Sequence, residues 1–139
     1  MTSVPHRKNV LIAEDDPVTK VILKAYIEKC GYQVTEVENG RDALDAFVAV
    51  FNGITAFKFV CLDINMPKMD GLTALIEMRK AENVLMDDTS EKVPIFMISN
   101  LASPKNAEKA FFQGDCSDFL QKPIDFSMLE ESLRRHRLL

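Results

Sequence analysis

The chain predicts a doubly wound α/β sandwich in which five short parallel strands alternate with five helices, the strands lying in the order 2-1-3-4-5. Three observations carry that expectation. Short β-rich apolar runs alternate with stretches of helical periodicity along the chain, the pattern of a parallel sheet covered on both faces. Polar groups fall where the apolar runs stop: Glu14 and Asp15 after Val10-Leu11-Ile12-Ala13, Asp63 after Phe59-Val60-Cys61-Leu62, and Lys122 after Phe119-Leu120-Gln121. With 139 residues, five such units fill the length of one ordinary domain.

Residues 1–8 read as a short leader and 9–139 as the folded domain. Asn9–Ala13 is the first expected strand. Asp16-Pro17 opens a helix, with Asp as N-cap and Pro at the first helical position. Val18, Val21, Ile22 and Ala25 recur at helical spacing until Cys30-Gly31 stops the element. Tyr32–Val37 is a weaker, alternating strand suited to an edge. Asn39-Gly40 turns into a second helix with Ala43, Leu44, Phe47 and Val48 on one face. Lys58–Leu62 is the third strand. A helix follows Gly71 as far as about Arg79, and the polar stretch Ala81–Lys92 is expected to be an extended loop. Val93–Ile98 is the fourth strand, Ser103-Pro104 repeats the cap-plus-proline start, and Gln113-Gly114 ends that helix. Ser117–Gln121 is the fifth strand, and Asp125 caps a last helix ending near Arg137.

Composition narrows the function classes. An apolar fraction of 47% and a charged fraction of 27% belong to a globular protein and not a disordered one. A net charge of −4 argues against a protein built to coat nucleic acid, and no apolar run reaches the length of a membrane span. The leader lacks the hydrophobic region of a secretory signal. Cys30, Cys61 and Cys116 are odd in number and far apart, so each is expected to be a buried, reduced thiol in a cytoplasmic protein.

In an open α/β sheet, ligands bind in the crevice outside the carboxyl ends of the strands. Glu14, Asp15 and Asp63 brought together there would repel one another and raise their own pKa values unless a cation joined them. Mg2+ suits the set, because it retains several waters and needs only one or two carboxylates besides a phosphate. Asp15 and Asp63 fit direct ligation and Glu14 a water-mediated contact. Asp63 is also a possible nucleophile, since a carboxylate accepts a phosphoryl group as an acyl phosphate. Lys122 would supply a second positive charge and Ser99 a hydrogen bond to the transferred group.

The stretches Leu11-Ile12-Ala13-Glu14-Asp15-Asp16, Leu62-Asp63-Ile64-Asn65-Met66-Pro67-Lys68-Met69-Asp70-Gly71, Ile98-Ser99 and Lys122-Pro123 resemble the receiver domain of two-component response regulators, in the manner of the chemotaxis regulators. The resemblance runs from about Asn9 to the C-terminus and implies a flavodoxin-like fold. It implies that Asp63 is the phosphoacceptor, taking its group from a histidine kinase or a histidine phosphotransfer protein and signalling to a downstream protein effector. Glu14 and Asp15 would be the metal-binding acidic pair, with the backbone carbonyl of Asn65 a further ligand. Ser99 would swing toward the phosphate, Lys122 would reach it through a cis bond to Pro123, and Phe119 would be a switch aromatic that turns inward on activation. No direct nucleic-acid contact, membrane insertion or enzymatic turnover is implied beyond self-catalysed phosphorylation and dephosphorylation of Asp63. Asn100 stands where this family usually has Ala or Gly, and Leu101 where quickly dephosphorylating members often carry a polar group. Together with Asn65 these rim positions bear on rate, and the apolar Leu101 points to a long-lived phosphoryl state.

Two other classes share parts of this pattern. A magnesium-dependent phosphohydrolase of the haloacid-dehalogenase kind also phosphorylates a strand-end aspartate, but it places a second acid where this chain has Asn65. A flavodoxin-like nucleotide binder needs a small-residue phosphate loop after the first strand, and Glu14-Asp15-Asp16 would repel a phosphate. With no output domain in view, the expectation is a free-standing regulator or a receiver segment of a larger protein such as a hybrid kinase.

Overall fold

Asp16, Asn39 and Asp125 each turn a strand-to-helix connection by accepting hydrogen bonds from the first turn of the helix that follows. The elements they punctuate come from a computed structural model that describes residues 8–51, 56–85, 91–100 and 104–139. In chain order they are β1 (Asn9–Ala13), α1 (Pro17–Lys29), β2 (Gln33–Val37), α2 (Gly40–Val50), β3 (Val60–Asp63), α3 (Gly71–Leu85), β4 (Ile95–Ser99), α4 (Pro104–Phe112), β5 (Asp118–Gln121) and α5 (Phe126–Arg135). The strands are all parallel, in the order β2-β1-β3-β4-β5, as the alternating pattern predicts.

The sheet divides the core in two because successive residues of a strand point to opposite faces. Leu11, Ala13, Val60, Leu62, Ile95 and Met97 face Phe47, Leu75 and Met78 of α2 and α3. Val10, Ile12, Phe59, Cys61, Phe96 and Ile98 face Leu23 and Ile27 of α1 and Leu129 and Leu133 of α5. Strands β1, β3 and β4 are thus apolar on both faces, whereas β2 is only half-buried and lies at the edge its alternating sequence predicts.

Strand β3 spans Val60–Asp63, later than the expected Lys58–Leu62, and β2 and β5 each start one residue late; other departures have a clear physical reason. Strand β4 begins at Ile95 instead of Val93, because Pro94 has no N–H to give to the ladder and serves only as acceptor, from Val60 N at 2.9 Å. Helix α3 runs on to Leu85, so the first part of the expected Ala81–Lys92 loop is helical; residues 86–90 of it lie outside the described set. The acidic Glu82, which makes this stretch read as solvent-facing, is in fact fully buried. Its carboxylate takes a 2.7 Å hydrogen bond from Arg79 Nη1 and another of 2.7 Å from Val93 N–H, while Arg79 also donates to the carbonyls of Val93 and Asp115. A buried ion pair with its remaining polar atoms satisfied is tolerated where an isolated charge is not. Finally, Cys30 is only half-buried, unlike Cys61 and Cys116, whose thiols burial pushes up to about 12. Among the described residues no helix is long and apolar enough to cross a membrane.

Two glycines bring the α2 and α3 N-termini against the end of β3. A Cβ on Gly71 would collide with the Asp63 carbonyl, and one on Gly40 with the Met69 carbonyl, to which Gly40 N–H donates at 2.9 Å. Gly71 N–H also donates to Ile64 O at 2.7 Å, closing the loop beneath the site. The obstacle at Gly71 is backbone and cannot rotate away, so Gly71→Ala should cost about 2–3 kcal/mol; a urea-denaturation midpoint unchanged from the parent would contradict this packing.

Candidate functional site

The carboxyl ends of β1, β3 and β5 deliver an acidic pair, a single aspartate and a lysine to one crevice. Glu14 directly follows β1, Asp63 is the last residue of β3, and Lys122 directly follows β5. Glu14 and Asp63 are 1% and 3% exposed, whereas Asp15 lies at the surface. The Lys122 ammonium bridges the two buried acids, 2.7 Å from Glu14 Oε1 and 3.3 Å from Asp63 Oδ2. The Glu14 contact is ionic and lacks hydrogen-bond alignment, but the Asp63 contact is a hydrogen bond. The other Glu14 oxygen accepts the Asp16 N–H at 3.0 Å.

Backbone pairing sets this geometry. Asp63 is in register with Ile98 on β4, and Ser99, the next residue, is in register with Gln121 on β5. Lys122 N–H donates to Ser99 O at 2.8 Å, and the Lys122–Pro123 peptide is cis. Ser99 is fully buried at its strand end. Asn65 and Asn100 are exposed on the rim, and Leu101 lies outside the described residues. Phe119 is half-buried against the core beneath α2 and α3, at a distance from the carboxylates set by the length of β5. Asp16, next to the acidic pair, turns away: it caps α1 through the Thr19 N–H and hydroxyl, and the hydroxyl, first among these contacts, holds its carboxyl below the usual range.

The electrostatics of the site are out of balance. Burial above all, then the neighbouring Glu14, pushes the Asp63 carboxyl from its usual 3.8 up to about 7, although Lys122 pulls the other way. For Lys122 the largest single influence is burial, which works against its charge, but Glu14 and Asp63 together outweigh it and raise its pKa. One ammonium thus faces three acids. Glu14, Asp15 and Asp63 each offer an oxygen within 4.8 Å of the others, and Asp63 Oδ1 is buried with no hydrogen-bond partner. An orphaned carboxylate oxygen inside an all-oxygen donor set with surplus negative charge fits a hard divalent cation such as Mg2+.

Sequence reasoning singles out the acids, the lysine and Ser99, all of which come to the same end of the sheet. It reads Gly40 and Gly71 only as helix starts and misses their packing role, which depends on how closely two helix N-termini approach the β3–α3 loop. The only local signal for Gly71 is its place directly after Asp70, which caps α3 through the Thr73 N–H at 2.8 Å.

Comparison with known proteins agrees with this geometry. The response regulator receiver domain family matches residues 10–134. The transcriptional activator protein PfeR of Pseudomonas aeruginosa is 31% identical over 99% of this chain, which spans 39% of that protein. Hybrid signal transduction histidine kinase I of Dictyostelium discoideum is 28% identical over 89% of the chain, which spans 7% of it. The chain therefore covers less than half the length of either relative. Among solved structures, the receiver domain of a Francisella response regulator has 26% identity and a TM-score of 0.72, covering 94% of this chain and 95% of that one. The receiver domain of a Pseudomonas aeruginosa sensor histidine kinase, solved with a magnesium ion coordinated in its active-site cleft, has 26% identity and a TM-score of 0.73, covering 92% and 95%.

The raised Asp63 carboxyl has a consequence for stability. Between about pH 4 and 7 the unfolded chain has released this proton while the folded chain still holds it, so in this window the group lowers stability as pH rises. In chelator at pH 8, Asp63→Asn should therefore be more stable than the parent by about 1–2 kcal/mol, with the difference vanishing near pH 4. Thermal melts at both pH values check this; a parent as stable as the variant at pH 8 would contradict it.

Proposed function

The chain belongs to the response regulator receiver domain family, and from that premise we propose that Asp63 is its phosphoacceptor, receiving a phosphoryl group from a histidine on a partner protein. The observation that carries the assignment is the unpartnered Asp63 Oδ1, a buried carboxylate oxygen beside two further acids and a lysine. In the transfer, the bond between the donor histidine nitrogen and phosphorus breaks as a carboxylate oxygen of Asp63 bonds to phosphorus. Glu14, Asp15, Asp63 and the Asn65 carbonyl would hold Mg2+, which when bound neutralises charge on the phosphoryl oxygens.

The chain's own groups do the rest. Lys122 already donates to Asp63 Oδ2, so the same ammonium compensates the charge added there without a long movement. Ser99, in register with the end of β5, offers its hydroxyl to another phosphoryl oxygen. Phe119 and the surface of α4, β5 and α5 then report the change as a shift between two populated conformations. Asn65 leaves the site without a second acid two residues after the acceptor, so the acyl phosphate is the signalling state and not an intermediate of a phosphohydrolase. Asn100, exposed on the rim, and Leu101, the next residue in the chain, set how long it lasts.

The donor must place its imidazole at Asp63, and the face beside Lys122 suits docking. Val18, Val21 and Ile22 of α1 are exposed, and Val18 and Ile22 line a hollow of about 190 Å³ with Pro123, Ile124 and Phe126. An apolar surface directly flanking the lysine is suited to the helices that carry a phosphohistidine.

Incubation with a small-molecule phosphodonor and Mg2+ should add one phosphate by intact mass, absent from Asp63→Asn; no adduct from any donor would overturn the assignment. Val21→Asp should slow transfer from a histidine phosphotransfer protein by roughly tenfold or more while leaving the small-donor reaction unchanged. Equal rates for parent and variant with the protein donor would remove α1 from the docking face.

A further inference from the structure

Glu14, Asp15 and Asp16 stand in a row after β1, but only the first two share an oxygen donor set with Asp63. The third is drawn off by α1. Asp16 Oδ2 accepts the Thr19 hydroxyl at 2.5 Å and the Thr19 N–H at 3.1 Å. The Asp16 backbone N–H is meanwhile given to Glu14 Oε2 at 3.0 Å. Asp16 thus touches the donor set through its amide while its carboxylate is bound to the helix.

The residue type at position 19 decides this. Thr19 is the third residue of α1, where a capping box sets Glu or Gln, whose side chain reaches back to the N-cap amide. Such a residue would compete with Glu14 for the Asp16 N–H. Threonine does the reverse: it donates to the cap carboxylate and leaves the amide to Glu14. The Thr19 hydroxyl does most to hold the Asp16 carboxyl below its usual range, and Lys122 is a weaker influence in the same direction. Asp16 is therefore within electrostatic reach of the crevice without belonging to it.

Ligand number separates the two common hard cations. Mg2+ keeps several waters and needs few carboxylates, whereas Ca2+ takes about six to eight oxygens in flexible geometry. A further carboxylate at this site would favour the larger ion. We propose that Thr19 is a positioning residue of the metal site: by holding Asp16 on α1 it limits the acidic donors to Glu14, Asp15 and Asp63 and biases the site toward Mg2+ over Ca2+. The inference rests on the metal-binding role of those three acids given above. Thr19 touches no reacting atom and acts through Asp16 alone.

Titration of the isotope-labelled full chain with MgCl2 and, separately, with CaCl2, followed through amide chemical shifts, reads both affinities without any phosphorylation. Thr19→Val keeps the backbone cap and the branched side chain but removes the hydroxyl. It should raise the ratio of Ca2+ to Mg2+ affinity by about threefold to tenfold, the effect of one ordinary hydrogen bond. Thr19→Ser, which retains the hydroxyl, should keep the parental ratio. Asp16→Asn in the Thr19→Val background should return the ratio to the parental value, because asparagine caps a helix as well as aspartate but is a neutral and weaker ligand. An unchanged ratio in Thr19→Val overturns the proposal while leaving the metal site standing, and so does a gain that survives Asp16→Asn. A parent that binds neither ion overturns the metal site itself and the role of Thr19 with it. Circular dichroism verifies that α1 is intact in each variant, and Thr19→Ala repeats the comparison if valine disturbs the helix.

Discussion

The ammonium of Lys122, held between two nearly inaccessible carboxylates, is the contact on which the working end of the molecule depends. Without it, Glu14 and Asp63 would be like charges in a poorly solvated crevice, a situation that proteins avoid by protonating one of them. With it the site is only partly compensated: an oxygen of Asp63 keeps no partner, and Asp15 adds a further negative charge nearby. The site's own residues therefore leave electrostatic demand, for a cation and for a group that Lys122 can share. Both are what a phosphoacceptor requires, and the imbalance is a property of the site more than a defect in it.

That contact is made possible by backbone. Lys122 reaches Asp63 because β5 pairs with β4 and its first residue beyond the sheet is anchored on the Ser99 carbonyl. Asp63 stays in place because Gly71 lets α3 start directly against it, while Gly40 ties the α2 N-terminus to the loop between them. At the opposite end of the sheet, the buried Arg79–Glu82 pair connects α3 to the entrance of β4 and to the turn before β5. The strands that carry Asp63, Ser99 and Lys122 are thus fixed at both ends by polar contacts, with apolar packing between them. A rigid frame of this kind lets a local change in charge reach a distant surface as a discrete shift.

The molecule presents three different surfaces around this frame. The strand-end crevice is acidic and polar, the α1 face beside Pro123 is apolar, and the α2–α3 groove is apolar with one ion pair on each wall. Acidic chemistry and exposed apolar surface are thus kept on different elements of the fold. Relatives such as PfeR and the hybrid kinase are much longer than this chain.

Much of this was legible in the amino acids. Apolar runs of strand length ending in acids or a lysine disclosed the parallel sheet and the end of it that matters, because buried strands need continuous apolar sequence and ligand groups belong where the strands stop. The caps Asp16 and Asp125 were equally plain, since a side-chain acceptor ahead of a helix satisfies a local need. Glu82 shows the limit: its charge suggested a loop, and only the arrival of Arg79 from one turn earlier and of the Val93 amide from beyond the loop made it a core residue. The same holds for Gly71 and for the orphaned oxygen of Asp63. Sequence by itself determined the order and type of the elements and which end of the sheet bears the chemistry, because those follow from local periodicity. The tertiary structure alone decided which charges face one another and which go unanswered, because burial and pairing depend on neighbours distant along the chain.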